Sequence, residues 1–148
     1  LIIIINNFTK KYPPCQAIFI RVYCDIIILG GFMKIINLKK VKKVKAIMDG
    51  AKAVYKQIPI SKNDNTPNFS FRVFTIGPGG HTPYHSHPYE HLNYIIDGEG
   101  YLVDNEGREN KIKKGDFALV MPDEKHQYKN KSLKKSLIMI CAVPKEHE

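Results

Sequence analysis

No C-x-x-C pair and no disulfide-framework spacing occurs among the three cysteines, Cys15, Cys24 and Cys141. A reducing cytoplasm is therefore the expected compartment. Long hydrophobic runs are also wanting: the most apolar stretch, Ala17 to Leu29, is interrupted by Arg21 and Asp25. A spanning helix needs about 20 predominantly apolar residues, so no membrane partner is expected. The sequence has no Ser/His/Asp order, no P-loop and no dinucleotide fingerprint. Internal repeats are missing, and from residue 51 onward so is any helix-length amphipathic periodicity.

Acids are scarce in one region only. The formal net charge is +9, but residues 34–62 hold nine lysines against the single acid Asp49, whereas residues 63–148 hold eleven Lys or Arg against twelve acids. The run Lys39-Lys40-Val41-Lys42-Lys43-Val44-Lys45 has no accompanying aromatic or recognition-helix pattern. It reads as a solvated face or arm, and no nucleic-acid partner is expected.

At 148 residues the chain is one domain, large enough to bury a core without disulfides or a structural zinc. Three segments are expected: an atypical N-terminal extension over 1–32, disordered or a mis-called start ahead of Met33; a lysine-rich arm over 33–50; and a folded barrel over 51–148. Lys10 and Lys11 precede an apolar run in the manner of a signal peptide, but charged interruptions and the lack of a clear small-residue cleavage site count against that reading.

Short strands are predicted over 53–60, 69–76, 91–96, 100–104, 109–112, 117–121, 126–129 and 137–143, punctuated by turn residues. Asp97-Gly98 carries the signal of a type I′ hairpin. The only helix candidate is the short stretch 41–48, and the fold class does not rest on it. Strands of this length at such intervals give an all-β fold, a small antiparallel barrel or sandwich.

Four histidines carry most of the functional information. His85 and His87 are two residues apart, so on a strand both imidazoles face one side. His91 has the same parity but lies about 13 Å further along an extended strand, so the chain must turn, and Pro88 supplies the break. His126 would arrive from a later strand. The alternative, an i, i+4 zinc-protease pair formed by His87 and His91, fails because Pro88 sits inside such a helix and Glu90 lies beside the wrong histidine for H-E-x-x-H. His81 reads as a rim residue and His147 as a tail residue.

These residues resemble the motifs of the cupin superfamily. Gly79, His85, His87, His91 and Gly98 fit G-x5-H-x-H-x3,4-E-x6-G, with His91 where glutamate is usual. Gly115, Pro122, His126 and Asn130 fit G-x5-P-x-G-x2-H-x3-N, with the proline one place late and Glu124 near the expected glycine. The resemblance covers about residues 50–144 and is nearest to small single-domain cupins with a four-histidine site. It implies a jelly-roll type barrel, or double-stranded β-helix, which commonly pairs into a homodimer. It also implies His85, His87, His91 and His126 as ligands of one divalent metal ion per chain.

Four neutral imidazoles would leave the full charge on the metal and keep it a strong Lewis acid. Imidazole suits zinc, copper, iron and nickel better than manganese, while the family resemblance ranks manganese or iron first and leaves zinc, nickel and copper open. Glu90 and Asn130 are candidates for orienting the imidazoles. Met139 and Cys141 share one face of the last strand and His91, Asn93 and Ile95 one face of another, so Met139 and Cys141 are candidate cavity residues. Cys141 is equally a small core residue. Arg72, the one charge in an apolar strand, either holds an anionic substrate or reaches solvent. The expected function is a metal-dependent oxygenase or oxidase acting on a small organic substrate. Alternatives are a Lewis-acid isomerase, cyclase or decarboxylase, for which Glu90, Tyr84 and Tyr128 are the only evident acid–base groups, and a non-catalytic small-ligand or metal-binding protein.

Overall fold

Alternation of buried and exposed residues along short β-rich segments builds the described residues into nine strands. A computed structural model describes residues 33–148; the expectations for 1–32, together with Cys15 and Cys24, lie outside the described residues. In order the strands are β1 (Val44–Lys45), β2 (Lys52–Ile60), β3 (Phe69–His81), β4 (His91–Asp97), β5 (Glu99–Val103), β6 (Glu109–Lys113), β7 (Phe117–Val120), β8 (Gln127–Lys129) and β9 (Leu137–Pro144). The all-β antiparallel architecture expected from the sequence is the one observed. Among the described residues no helix is long and apolar enough to cross a membrane.

The helix candidate at 41–48 does not form a helix. Val44 and Lys45 instead pair with Lys56 and Tyr55 as β1 against β2. The preceding carbonyls of Leu38 and Val41 accept hydrogen bonds from the Gln57 amide at 2.9 and 2.8 Å, so the arm is laid along the sheet.

Strand β3 is the spine of the barrel. Along one edge it pairs with β2, and along the other its first part, Phe69 to Ile76, pairs with β9 while its end, His81, pairs with β8. One path then runs β9-β4-β7 and the other β8-β5-β6. For one strand to serve both, it must bend between Ile76 and His81, where Gly77-Pro78-Gly79-Gly80 stands. Asn130 pins this corner. Its side-chain amide donates to the carbonyls of Ile76, Gly77 and Lys135 at 2.9, 3.0 and 2.8 Å, and its backbone N–H donates to Gly80.

Asp97-Gly98 is a corner and not a hairpin. Strands β4 and β5 do not pair; β4 lies between β7 and β9, and β5 between β6 and β8. The left-handed backbone demanded of Gly98 (φ 81°) was legible in the sequence, but here it lets the chain cross from one path to the other. A Cβ at Gly98 would stand 2.2 Å from the Ser136 carbonyl oxygen, so the position accepts no side chain.

Inside, the period-2 pattern is clean. In β9, Leu137, Met139, Cys141 and Val143 are buried, and the register sets Asn93 against Cys141 and Ile95 against Met139. Ile76, Ile95 and Leu137 are wholly buried, each contributing roughly 1.5–3 kcal/mol before conformational entropy is counted. Toward one end of this interior, apolar residues give way to Arg72, His91, Asn93 and His126, all buried and polar.

Candidate metal centre

The segment from Thr82 to Glu90 connects β3 to β4 across the barrel mouth and carries two of the four histidines. His85 is fixed against His126 by a mutual backbone pair: the His85 N–H donates to the His126 carbonyl at 3.1 Å and the His126 N–H to that of His85 at 2.9 Å. His126 precedes β8 directly. The turn before it holds Asp123 at φ 63°, the place where the family pattern has glycine; aspartate is among the few non-glycine residues that tolerate this conformation.

Three imidazoles are tuned in the same way. Nδ1 of His85 lies 3.0 Å from the Pro83 carbonyl, Nδ1 of His87 2.7 Å from that of Tyr89, and Nδ1 of His126 2.9 Å from that of Glu124. A carbonyl only accepts, so each Nδ1 carries the proton and each Nε2 keeps its lone pair. Candidate ligand atoms of His85, His87 and His126 lie within 4.8 Å of one another. Adjacent imidazole nitrogens about 2.1 Å from one ion would be about 3.0–3.4 Å apart, so the three rings must draw together to grip it. Nε2 of His87 is buried and, among the described residues, without a hydrogen-bond partner. Neutral donors of one tautomer, one of them orphaned, fit a divalent metal ion.

His91 joins the patch differently. Its ring centroid is 4.1 Å from that of His87 and 5.3 Å from that of His126, yet its Nε2 lies 3.1 Å from Nη2 of Arg72. A guanidinium only donates, so the His91 lone pair is engaged. Of the four histidines expected as ligands, His85, His87 and His126 form the ligand-ready set, and His91 stands beside it facing Arg72.

Burial disfavours the charged form of His87, His91 and His126. His91 is pushed down to about 2, first by desolvation and then by Arg72; His126 falls to about 4 and His87 is lowered, again chiefly by desolvation. Burial raises the Tyr128 phenol and the Cys141 thiol, the latter despite a 3.2 Å contact from Arg72 Nη2.

Behind the histidines lies a cavity of about 140 Å³ whose walls include Arg72, Met139, Cys141, Asn93 and Tyr128. This is small beside the ~300–1,000 Å³ of drug-sized ligand sites. Glu90 is not among its lining residues, and Asn130 spends its amide on the β3 corner and not on an imidazole. His81 stays outside the cluster, bonded to Thr82 and Gln127. His147, read from the sequence as a tail residue, stacks on Tyr89 at 4.0 Å, and Tyr89 stacks on His87 at 4.0 Å. The role of Tyr89 was missed; its only sequence signal is its place between His87 and His91.

Comparisons with known proteins agree with this architecture. Residues 72–143 match the cupin domain family. The polyketide cyclase RemF from Streptomyces resistomycificus superposes with a TM-score of 0.73 at 25% identity, over 77% of this chain and 80% of that one. A cupin-2 domain from Rhodospirillum rubrum gives 0.65 at 20% identity, over 78% and 77%. A predicted oxalate decarboxylase from Thermotoga maritima gives 0.65 at 23% identity, over 75% and 98%. No curated protein matches the chain.

Proposed function

We propose that this chain, a member of the cupin superfamily, is a metal-dependent oxygenase or oxidase acting on a small organic substrate. His85, His87 and His126 would hold one divalent ion through Nε2, with His91 as a fourth ligand when Arg72 releases it. Manganese or iron is the preferred ion, with zinc, nickel and copper as alternatives. When bound, the ion would supply Lewis acidity and, as iron or manganese, a redox couple for oxygen chemistry.

The observation that carries the redox reading is the chemistry of the cavity walls. Met48, Phe74 and Met139 give the cavity apolar walls, and among the described residues no carboxylate lines it. Burial favours the protonated Tyr128 and Cys141 and the neutral His91 and His126, so these four are not poised to exchange a proton near neutrality. What the chain's own residues supply is orientation: carbonyls fix three imidazole tautomers, and Tyr89 clamps the His87 ring from its face.

A Lewis-acid cyclase, isomerase or decarboxylase is the second reading, favoured by the likeness to RemF at 25% identity. Metal analysis of the purified protein, followed by oxygen uptake after reconstitution with iron(II) or manganese(II), separates the two. About one redox-active ion per chain with substrate-dependent uptake supports the oxygenase. Stoichiometric zinc without uptake moves the assignment to the Lewis-acid reading, and no bound metal under any loading condition overturns both.

We also propose a homodimer in the cytoplasm. Phe117, Leu119 and Met121 at the β7 edge and Leu92 on adjacent β4 are exposed, with Phe117 at 81%, and Leu92 and Leu119 face each other in register. Contiguous apolar surface of this kind favours a protein partner. Sedimentation equilibrium tests it, and a monomer at micromolar concentration would refute it.

A further inference from the structure

Arg72 carries a full positive charge into the barrel. It is 8% exposed and lines the cavity behind the histidines. Among the described residues no aspartate or glutamate forms an ion pair with it. Glu148, the acid at the end of the chain, turns its carboxylate to the Ser70 hydroxyl and the Lys62 N–H at 2.7 and 2.8 Å. A guanidinium does not escape this cost by losing its proton. Burying it without an anion is therefore expensive unless a ligand completes the site.

The contacts Arg72 does make are all to neutral acceptors. Nη1 donates to the His147 carbonyl at 3.1 Å, and Nη2 faces His91 Nε2 and Cys141 Sγ at 3.1 and 3.2 Å. Among the described residues its Nε has no partner. On the same cavity wall the Asn93 amide and the Tyr128 hydroxyl, both buried, have only each other within reach, and among the described residues neither makes a well-formed hydrogen bond. Native interiors leave few such groups unpaired, and a buried guanidinium with a free Nε beside the poorly satisfied Asn93 and Tyr128 leaves this cavity wall with hydrogen-bonding capacity for a ligand.

We infer that the cavity binds a small organic carboxylate, with the carboxylate on Arg72 and a neighbouring hydroxyl or keto oxygen on Asn93 and Tyr128. This deepens the metal-enzyme reading by naming its substrate class, and rests on that reading for the claim that the bound molecule reacts. The planar fork of a guanidinium matches the two oxygens of a carboxylate. Met48, Phe74 and Met139 close the remaining volume with apolar surface, which admits a short carbon skeleton and disfavours a fully hydrated inorganic anion.

The test is calorimetric titration of the full chain with acetate, lactate and pyruvate, each beside its uncharged amide, and with inorganic phosphate. The titrations are run on chelator-treated and manganese-loaded protein, with metal content read in parallel. In the metal-free protein at least one carboxylate should bind ten-fold or more tightly than its amide and than phosphate. Arg72→Met should erase that preference and Arg72→Lys should restore part of it. If no carboxylate exceeds its amide ten-fold, or if phosphate binds as tightly, the inference falls. Should Arg72→Met fail to fold by circular dichroism, the wild-type comparison alone decides. Carboxylate preference in a protein that takes up no metal would retain the anion site and refute the metal centre; metal uptake without carboxylate preference would do the reverse.

Discussion

Nη2 of Arg72 stands 3.1 Å from Nε2 of His91, so a permanent cation occupies the lone pair that the histidine pattern would assign to a metal. The guanidinium and a divalent ion compete for the same nitrogen and repel each other. Removing the charge should relieve both effects. Arg72→Gln is expected to tighten manganese or zinc binding about ten-fold, equivalent to about 1.4 kcal/mol. Competition titration against a chromophoric chelator measures this, and unchanged or weaker affinity would show that His91 never serves as a ligand and that the guanidinium repulsion is screened.

The histidines differ in what their loss should cost. His85→Ala combined with His126→Ala removes two of the three imidazoles whose Nε2 is free, and is expected to abolish metal binding while β circular dichroism persists. His91→Ala, which removes the ring facing Arg72, should retain about one ion per chain at reduced affinity. Elemental analysis after gel filtration reads both. Complete metal loss in His91→Ala would restore the equal four-histidine site expected from the sequence.

Much of this arrangement was legible because it depends on local rules. Strand parity sets Met139 with Cys141 and His91 with Asn93 and Ile95 on inward faces, and the glycine and histidine spacings announced the barrel. What the sequence hid was long-range. Asp97-Gly98 has hairpin chemistry, but whether β4 pairs with β5 is decided by which strands close the sheet. The 41–48 segment has no strong local preference, and β2 recruits it. The division among the histidines depends on Arg72, which is 19 positions from His91 in sequence and adjacent only after folding.

Acid should destabilise the metal-free protein well before its exposed carboxylates titrate. His91 and His126 have folded-state pKa values lowered to about 2 and about 4, against about 6.5 when unfolded. The unfolded chain therefore binds more protons than the folded one below about pH 6.5. Stability is full above that pH and falls as pH drops, levelling near pH 4 for His126 and lower for His91. The slope is at most about 1.4 kcal/mol per pH unit per histidine. Urea midpoints of chelator-treated protein should fall steadily from about pH 7 to about pH 5, less steeply in His126→Ala. Bound metal should flatten the curve, since it competes with protons for the same lone pairs. A midpoint constant across that range would contradict the burial-driven shifts.

Asn130 separates a residue that holds the fold from one that tunes the metal. Its amide nitrogen serves three carbonyls, those of Ile76, Gly77 and Lys135, and its side-chain oxygen accepts from the Ser132 N–H at 3.0 Å. The residue is 2% exposed, so deleting the amide leaves buried carbonyls at the β3 corner without a donor. Asn130→Ala should cost about 2–4 kcal/mol in urea unfolding. Asn130→Asp should be no milder, because a carboxylate offers only acceptors to three facing carbonyls. Neither change touches an imidazole, so metal stoichiometry and affinity of the remaining folded protein should match wild type. Were Asn130 instead orienting a ligand histidine, metal affinity would drop by about 10–100-fold with little change in the urea midpoint. The two measurements on one variant therefore distinguish a corner staple from a ligand-orienting residue.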